Sequence, residues 1–294
     1  ESYVSDVELN QSITCTFSDT SQMSTACFTA TKDGTYTATI SDMNGIDDFV
    51  VASNTARDDF YYEYGKKTMV FKLKAGEQIF ISAMIYGPAS DPSFKATVTC
   101  NHTLKTVVTK ATPTADGKIV KTCTVCGKTV STKVIPRASS VKLSTTSYVY
   151  NGKVKRPSII VKDRTGKTLV KDTDYTVSYS RGRKYVGRYA VKITFKGKYS
   201  GTKILYFYIK PKTTSISSLT AGSKKFTVKW KKQATQTTGY QIQYSTSSKF
   251  TKCKTVTIGK NSTTSKTISK LSGKKKYYVR VRTYKVVNGT KFYS

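Results

Sequence analysis

The chain has 294 residues, 37% of them hydrophobic and 12% aromatic, and a formal net charge of +33. The length suits two to four small domains, and the apolar share is enough for packed cores, which excludes global disorder. The longest apolar run, Ile204-Leu-Tyr-Phe-Tyr-Ile209, is far shorter than the roughly 20 residues of a membrane-crossing helix. No basic, apolar-cored leader opens the sequence, so the expectation is a chain whose signal peptide has been removed, or an excised segment.

Charge is unevenly laid out. Residues 1–99 hold 7 basic and 13 acidic residues, 100–137 hold 7 and 1, 138–211 hold 17 and 3, and 212–294 hold 19 and none. An acidic head therefore leads a strongly basic body. Apolar residues alternate with polar ones between Gly, Asp, Asn and Lys-rich turns, and no long helical periodicity occurs, so the fold class expected is all-β.

Residues 1–99 read as seven to eight short strands. Tyr36/Ala38/Ile40, Ile79/Ile81/Ala83/Ile85 and Phe94/Ala96/Val98 each place one face in a core. Turn signals at Lys32-Asp-Gly34, Asn44-Gly45, Ala75-Gly76 and Gly87-Pro88 give sandwich or jelly-roll patterning. The wording Phe28-Thr-Ala-Thr-Lys-Asp-Gly-Thr-Tyr-Thr-Ala-Thr-Ile40, then Phe71-Lys-Leu-Lys-Ala-Gly-Glu-Gln-Ile-Phe-Ile81, resembles the bacterial pre-peptidase C-terminal (PPC) β-sandwich. Cys15 and Cys27 sit on two of the expected strands, and a disulfide between them is the favoured reading; two small buried side chains are the other.

Residues 100–137 carry the chain's one histidine among clustered cysteines: Cys100-Asn-His102 and Cys123-Thr-Val-Cys126-Gly127. Residues two apart on a strand point the same way, so Cys100 and His102 would present S and N from one face. The Cys-x-x-Cys-Gly turn brings two sulfurs onto one ion. Cys100, His102, Cys123 and Cys126 thus suit a closed tetrahedral zinc site of structural type; a disulfide or free thiols are the alternatives. With an Asp116-Gly117 hairpin turn between its halves, the insert looks like a minimal zinc ribbon, and Ile135-Pro136 completes a pattern similar to inserts beside Ig-like repeats of surface proteins. So short a segment cannot bury enough core alone, which is where a metal would matter.

Residues 138–211 form a second β unit. Tyr148-Val-Tyr-Asn-Gly, Asp174-Tyr-Thr-Val-Ser-Tyr179 and Tyr199-Ser-Gly resemble the start, centre and end of an Ig-like repeat of Gram-positive gut-bacterial surface proteins. Residues 212–294 resemble a fibronectin type III (FN3) domain. Trp230 lies on Phe226-Thr-Val-Lys-Trp, Tyr240-Gln-Ile-Gln-Tyr244 follows, and Leu271 precedes Tyr277-x-Val279-x-Val281 with the tyrosine-corner spacing. Pro136 and Lys210-Pro211-Lys212 mark the clearest boundaries, and Cys253 is expected in a core or half-buried slot. The stop at Ser294, at or within a last strand, leads us to expect a longer parent chain.

Chemistry elsewhere is sparse. Nucleophilic catalysis needs a nucleophile with a base, and the one histidine is already assigned. Asp47-Asp48 and Asp58-Asp59 are the candidate carboxylate pairs, with solvated loop acids as the plainer reading. Asp42, Asn44, Asp47 and Asp48 could ligate calcium through hard oxygens, although the loop lacks the EF-hand order. Phe60-Tyr61-Tyr62-Glu63-Tyr64 could stack on sugars or anchor a protein, or divide its rings between core and edge. No phosphate loop, dinucleotide fingerprint or nucleic-acid fold motif appears, and lysine outnumbers arginine, so a specific nucleic-acid partner is not expected.

The expectation is a string of β-sandwich modules: 1–99 PPC-like, 100–137 zinc-ribbon-like, 138–211 Ig-like and 212–294 FN3. The resemblances imply a non-enzymatic, extracellular piece of a Gram-positive bacterial cell-surface protein, a monomer within a longer chain, serving as spacer and adhesion module. Its expected partners are polyanions of the cell wall or host glycans and proteins. Alternatives are a host-binding adhesin acting through residues 1–99, or the accessory region of a larger secreted hydrolase.

Overall fold

A computed structural model describes residues 3–18, 21–54, 60–62 and 65–294. It is all-β, with twenty-five strands among the described residues. By contact the chain falls into two compact units, residues 1–108 with 118–133 and residues 109–117 with 134–294. No helix among the described residues is long and apolar enough to cross a membrane.

The first unit is a sandwich built from β1 (Tyr3–Asp6), β2 (Ser12–Thr16), β3 (Met23–Thr29), β4 (Gly34–Asn44), β5 (Asp48–Asn54), β6 (Phe60–Tyr62), β7 (Thr68–Leu73), β8 (Gln78–Met84) and β9 (Ser93–Cys100). One sheet runs β1-β3-β8-β5-β6 and the other β2-β9-β4-β7. β1 joins β3 in parallel, and the β3–β8, β5–β8, β4–β9 and β4–β7 pairs are antiparallel. The alternation in the sequence is what faces the sheets toward each other. Tyr36, Ala38, Ile40, Ile79, Ile81, Ala83, Phe94, Ala96 and Val98 all lie in one buried cluster. Each large apolar side chain moved there from water contributes about 1.5–3 kcal/mol. Ile85 falls just past the end of β8 and is only half-buried. Tyr36, fully buried, donates its hydroxyl to Lys32 O at 2.6 Å and so loses no hydrogen bond on burial. The turn after β7 closes through Gly76 at φ +92°, a backbone region open to glycine.

The expected Cys15–Cys27 disulfide is not formed; both thiols are free. Cys15 points into the core from β2. On β3, Ala26 and Phe28 belong to that core, so Cys27 between them faces the other way. There Gln78 Nε2 reaches both Cys27 Sγ at 3.4 Å and Thr29 Oγ1 at 3.1 Å. Burial pushes the Cys15 thiol up to about 11, so it stays protonated at neutral pH.

After the sandwich come β10 (Leu104–Thr109), β11 (Gly117–Cys123) and β12 (Thr129–Ile135), a small sheet in that order. The second unit begins with the loop before β11. Ala111, fully buried, bridges Tyr199 in parallel and exchanges bonds with Lys198 O and Ser200 N. Asp116 accepts from the Arg137 N–H and from Arg164 Nε, both at 2.7 Å. The Arg137 N–H first, and then the Arg164 side chain, hold its carboxyl below the usual carboxylate range against the opposing pull of burial.

The part expected to be Ig-like contains β13 (Ser140–Leu143), β14 (Ser147–Val149), β15 (Ile159–Lys162), β16 (Tyr175–Tyr179), β17 (Gly187–Phe195) and β18 (Thr202–Lys210). Its sheets are β13-β15 and β14-β18-β17-β16. Val161, Val191, Ile193, Phe207 and Ile209 are fully buried. The FN3 part adds β19 (Ile216–Gly222), β20 (Lys225–Trp230), β21 (Gly239–Ser245), β22 (Lys254–Ile258), β23 (Ser265–Ile268), β24 (Tyr278–Val287) and β25 (Thr290–Tyr293). These form sheets β19-β20-β23 and β22-β21-β24-β25. Trp230 packs against Tyr240 with tilted rings and centroids 5.3 Å apart in the core. The tyrosine corner is present: the Ser272 N–H donates to the Tyr277 hydroxyl at 3.2 Å, with Leu271 packed beneath.

Two outcomes are expected. First, Gly239→Ala should cost about 1–3 kcal/mol in urea unfolding followed by Trp230 fluorescence, because overpacking forces the backbone to move. A methyl group there would stand 1.9 Å from Ile258 O. Second, mass spectrometry after alkylation in denaturant with chelator should find all six cysteines modified without reductant; a protected pair would restore the disulfide reading.

Candidate metal centre

The cysteine–histidine cluster forms where β9 leaves the sandwich. Cys100 is the last residue of β9, its side chain continuing the inward row Phe94, Ala96, Val98. Asn101 is pinned by its N–H to Thr35 O at 2.8 Å and by its side-chain carbonyl, which accepts from Thr37 Oγ1 at 2.9 Å. His102 therefore lies two residues beyond the end of the strand, not on it, and turns its Nδ1 back to within 3.3 Å of Cys100 Sγ.

The other half is a tight turn at the end of β11. The Cys123 N–H donates to Lys128 O at 2.9 Å and the Gly127 N–H to Cys123 O at 3.1 Å, with Gly127 at φ +72°. The turn is fixed to the first half by the Thr124 N–H and hydroxyl, both donating to Thr103 O, at 2.9 and 3.2 Å. Between the two cysteines Val125 is buried in the sandwich core. A Cβ on Gly34 would come within 2.9 Å of a Val125 methyl, so the glycine of Lys32-Asp-Gly34 makes room for this anchor. Val125 and Gly34 are the supporting residues that spacing alone did not reveal; an apolar residue inside Cys-x-x-Cys is their only signal.

The four ligand atoms all lie within 4.8 Å of one another. Cys100 Sγ is 3.8 Å from Cys123 Sγ, and Cys126 Sγ is 3.5 Å from His102 Nδ1. An S–S bond is about 2.05 Å, so these sulfurs are not disulfide-bonded. A tetrahedral zinc with sulfurs at about 2.3 Å and nitrogen at about 2.05 Å would set S–S edges near 3.8 Å and S–N edges near 3.5 Å. The observed edges fit that frame, and Cys3His is a complete structural donor set with no open position.

The electrostatics favour a thiolate at Cys123. Burial pushes its thiol up, but the N–H groups of Cys126 and Val125 and the His102 ring outweigh it and hold the value near 6. Cys100 goes the other way, pushed up to about 12 by burial and then by the neighbouring sulfurs. A cation among them would remove that mutual penalty.

The remaining sequence candidates do not assemble. Among the described residues the Cys/His tetrad is the one group of three or more Cys, His, Asp or Glu with converging ligand atoms. Asp42 pairs with Lys95 Nζ at 3.2 Å. Asn44 turns its amide N–H to Ser90 O and Asp91 O. Asp47 accepts from the Tyr86 N–H at 2.6 Å, and Asp48 from the Phe49 N–H at 2.8 Å and the Tyr86 hydroxyl at 3.3 Å. These side chains hold turns together, and the carboxylates of Asp42, Asp47 and Asp48 do not converge on one point. Asp58, Asp59, Glu63 and Tyr64, with the side chains of Phe60–Tyr62, lie outside the described residues. Cys253 is a half-buried free thiol.

Among solved structures the chain is similar to the pre-peptidase C-terminal domain of a collagenase from Bacillus anthracis, at 14% identity and TM-score 0.25, covering 33% of this chain and 94% of that one. The FN1-FN3 domains of chicken CNTN1 give 14% identity and TM-score 0.26, covering 87% and 94%. The M60 catalytic domain with CBM51-1 and CBM51-2 domains from Clostridium perfringens ZmpB gives 8% and 0.19, covering 92% of this chain and 33% of that one. At these scores no functional argument follows. No curated protein matches the chain. Residues 210–293 match the family profile of the fibronectin type III domain, the segment that holds β19 through β25.

Proposed function

We propose that this chain is a non-catalytic, extracellular region of a bacterial cell-surface protein, a spacer and interaction module whose Cys100, His102, Cys123 and Cys126 hold one structural zinc ion. The observation that carries the reading is the tetrad itself. It takes the chain's one histidine and three of its six cysteines into a closed set of four ligands. A closed set leaves no coordination site for substrate or water. Zinc supplies cross-linking here: it would tie the end of β9 to the end of β11, a stretch too small to be held by its own core. The FN3 match and the sandwich cores support a modular, scaffold-like role.

The basic body supports the partner assignment. Residues 212–294 carry 19 basic side chains and no acidic one, so wall or host polyanions are the class of surface they would attract. The adhesin and hydrolase-accessory readings differ from this one in requiring a specific ligand for residues 1–99 or a catalytic domain elsewhere in a parent chain.

Metal analysis of the purified chain should give one zinc per molecule, and Cys126→Ser or a strong chelator should remove it and lower the melting temperature of the first unit by several degrees. Absence of metal together with unchanged melting in Cys126→Ser overturns the zinc assignment. The full chain should be retained on an immobilised polyanion at low salt and released by about 0.5 M salt, where screening leaves only contact-range attraction. Turnover of a protein or glycan substrate abolished by His102→Ala overturns the non-catalytic reading.

A further inference from the structure

A cationic pocket opens in the Ig-like part, at the side where its two sheets do not meet. β15 is an outer strand of one sheet and β16 an outer strand of the other. The gap between them is a cavity of about 670 Å3, within the range of about 300–1,000 Å3 typical of small-ligand sites. Arg156, Lys171 and Arg183 line it, with Tyr179, Ser158 and Ser178, and no carboxylate does. Ile159 and Val177 contribute apolar surface.

The pocket is built, not incidental. The Lys155 N–H donates to Arg183 O at 2.9 Å, which brings the two arginine-bearing segments together although 27 residues separate them. The Tyr179 hydroxyl donates to Pro157 O at 2.8 Å and ties the end of β16 to the same segment. Arg183 lies over the Tyr179 ring at 5.2 Å and donates one Nη1 bond to Ser180 O at 2.8 Å. Its Nε is buried and has no acceptor. Arg156 makes no hydrogen bond or ion pair among the described residues. The Arg183 Nε is enclosed, so a ligand reaches Arg183 through its remaining Nη N–H groups; together with the unengaged Arg156 they make a pair of guanidinium groups for which an oxyanion is the matching acceptor.

The far end differs. Lys171 is paired with Asp172 at 3.7 Å, and burial followed by the carboxylates of Asp172 and Asp174 raises the Tyr175 hydroxyl above its usual range. A second anionic group is disfavoured there. The lining between the ends offers serine hydroxyls beside an apolar wall, which is the surface a neutral polyol ring uses.

We infer that this pocket binds a saccharide carrying one oxyanion group, with that group seated between Arg156 and Arg183 and the neutral ring directed toward Ser158 and Ser178. Carboxylate, sulfate ester and phosphate monoester share the required chemistry. The inference goes beyond the spacer role and does not rest on it.

The test is titration of the full chain, followed by NMR chemical shifts and calorimetry, at about 0.15 M salt, where diffuse surface attraction is largely screened. The probes are N-acetylneuraminic acid, galactose 6-sulfate, glucose 6-phosphate and neutral galactose. At least one anionic probe should bind at millimolar concentration or tighter, shifting resonances of β15 and β16, while galactose does not. The probe that binds identifies the source of the anion. Arg156→Gln should weaken that binding about tenfold or more, the loss expected for one charged hydrogen-bonding partner. This variant breaks no described bond, so it keeps the fold. Arg183→Lys retains the charge but loses the fork and should weaken binding comparably. No binding of any anionic probe at 20 mM, or binding unchanged in both variants, overturns the proposal; either result leaves the spacer reading standing.

Discussion

In a two-layer sandwich the sheets bury the faces they turn toward each other, and each sandwich core in this chain depends on two sheets closing over each other's inward rows. That constraint explains why stability is partitioned into separate cores, one around Tyr36, Ile79 and Phe94 and another around Trp230, Tyr240 and Ile242. It also explains why residues 100–135 need something else. β10 and β12 are almost wholly exposed, so their sheet has little apolar area of its own to bury. What fixes the turn at Cys123 is the pair of bonds from Thr124 to Thr103, the insertion of Val125 into the neighbouring core, and the converging tetrad.

Much of this was legible in the sequence because it rests on period-two patterning and short spacing. Tyr36/Ala38/Ile40 and Phe94/Ala96/Val98 declared their inward faces, and the corner made by Leu271 and Tyr277 declared its module. The tetrad was readable because two of its ligands are two residues apart and the other two are three apart. Cys15 and Cys27 misled for the opposite reason. Spacing says nothing about which sheet face a thiol takes, and only the alternation along β3 shows Cys27 buried on the face away from the core that holds Cys15. The acids around Asp42 to Asp48 resembled a cation loop but serve backbone N–H groups instead. The Arg156–Arg183 pocket had no sequence signal, since it arises where the segment before β15 meets the turn after β16, two places far apart in the chain.

The distribution of charge changes how the arginines are satisfied. Where carboxylates exist, Arg164 takes Asp116. In the FN3 part none exists, and amides and ring faces take their place. Arg280 donates to Gln243 and stacks over Phe250 at 4.3 Å; Arg282 donates to Gln241 and stacks over Tyr293 at 3.9 Å. A guanidinium is weakly hydrated and planar, so an aromatic face suits it well, and the ammonium groups of Lys276 and Lys291 also lie over the Tyr278 and Tyr284 rings.

The acid-free FN3 part and the acidic head answer differently to a change of pH. With no Asp, Glu or His side chain between residues 212 and 294, this part has no side-chain carboxylate or imidazole to titrate as pH falls below neutral. The electric field of this part is therefore constant through acidification, while the carboxylate-rich head neutralises as pH falls. Through such a change of pH, the attraction of this segment for anions is set by salt alone.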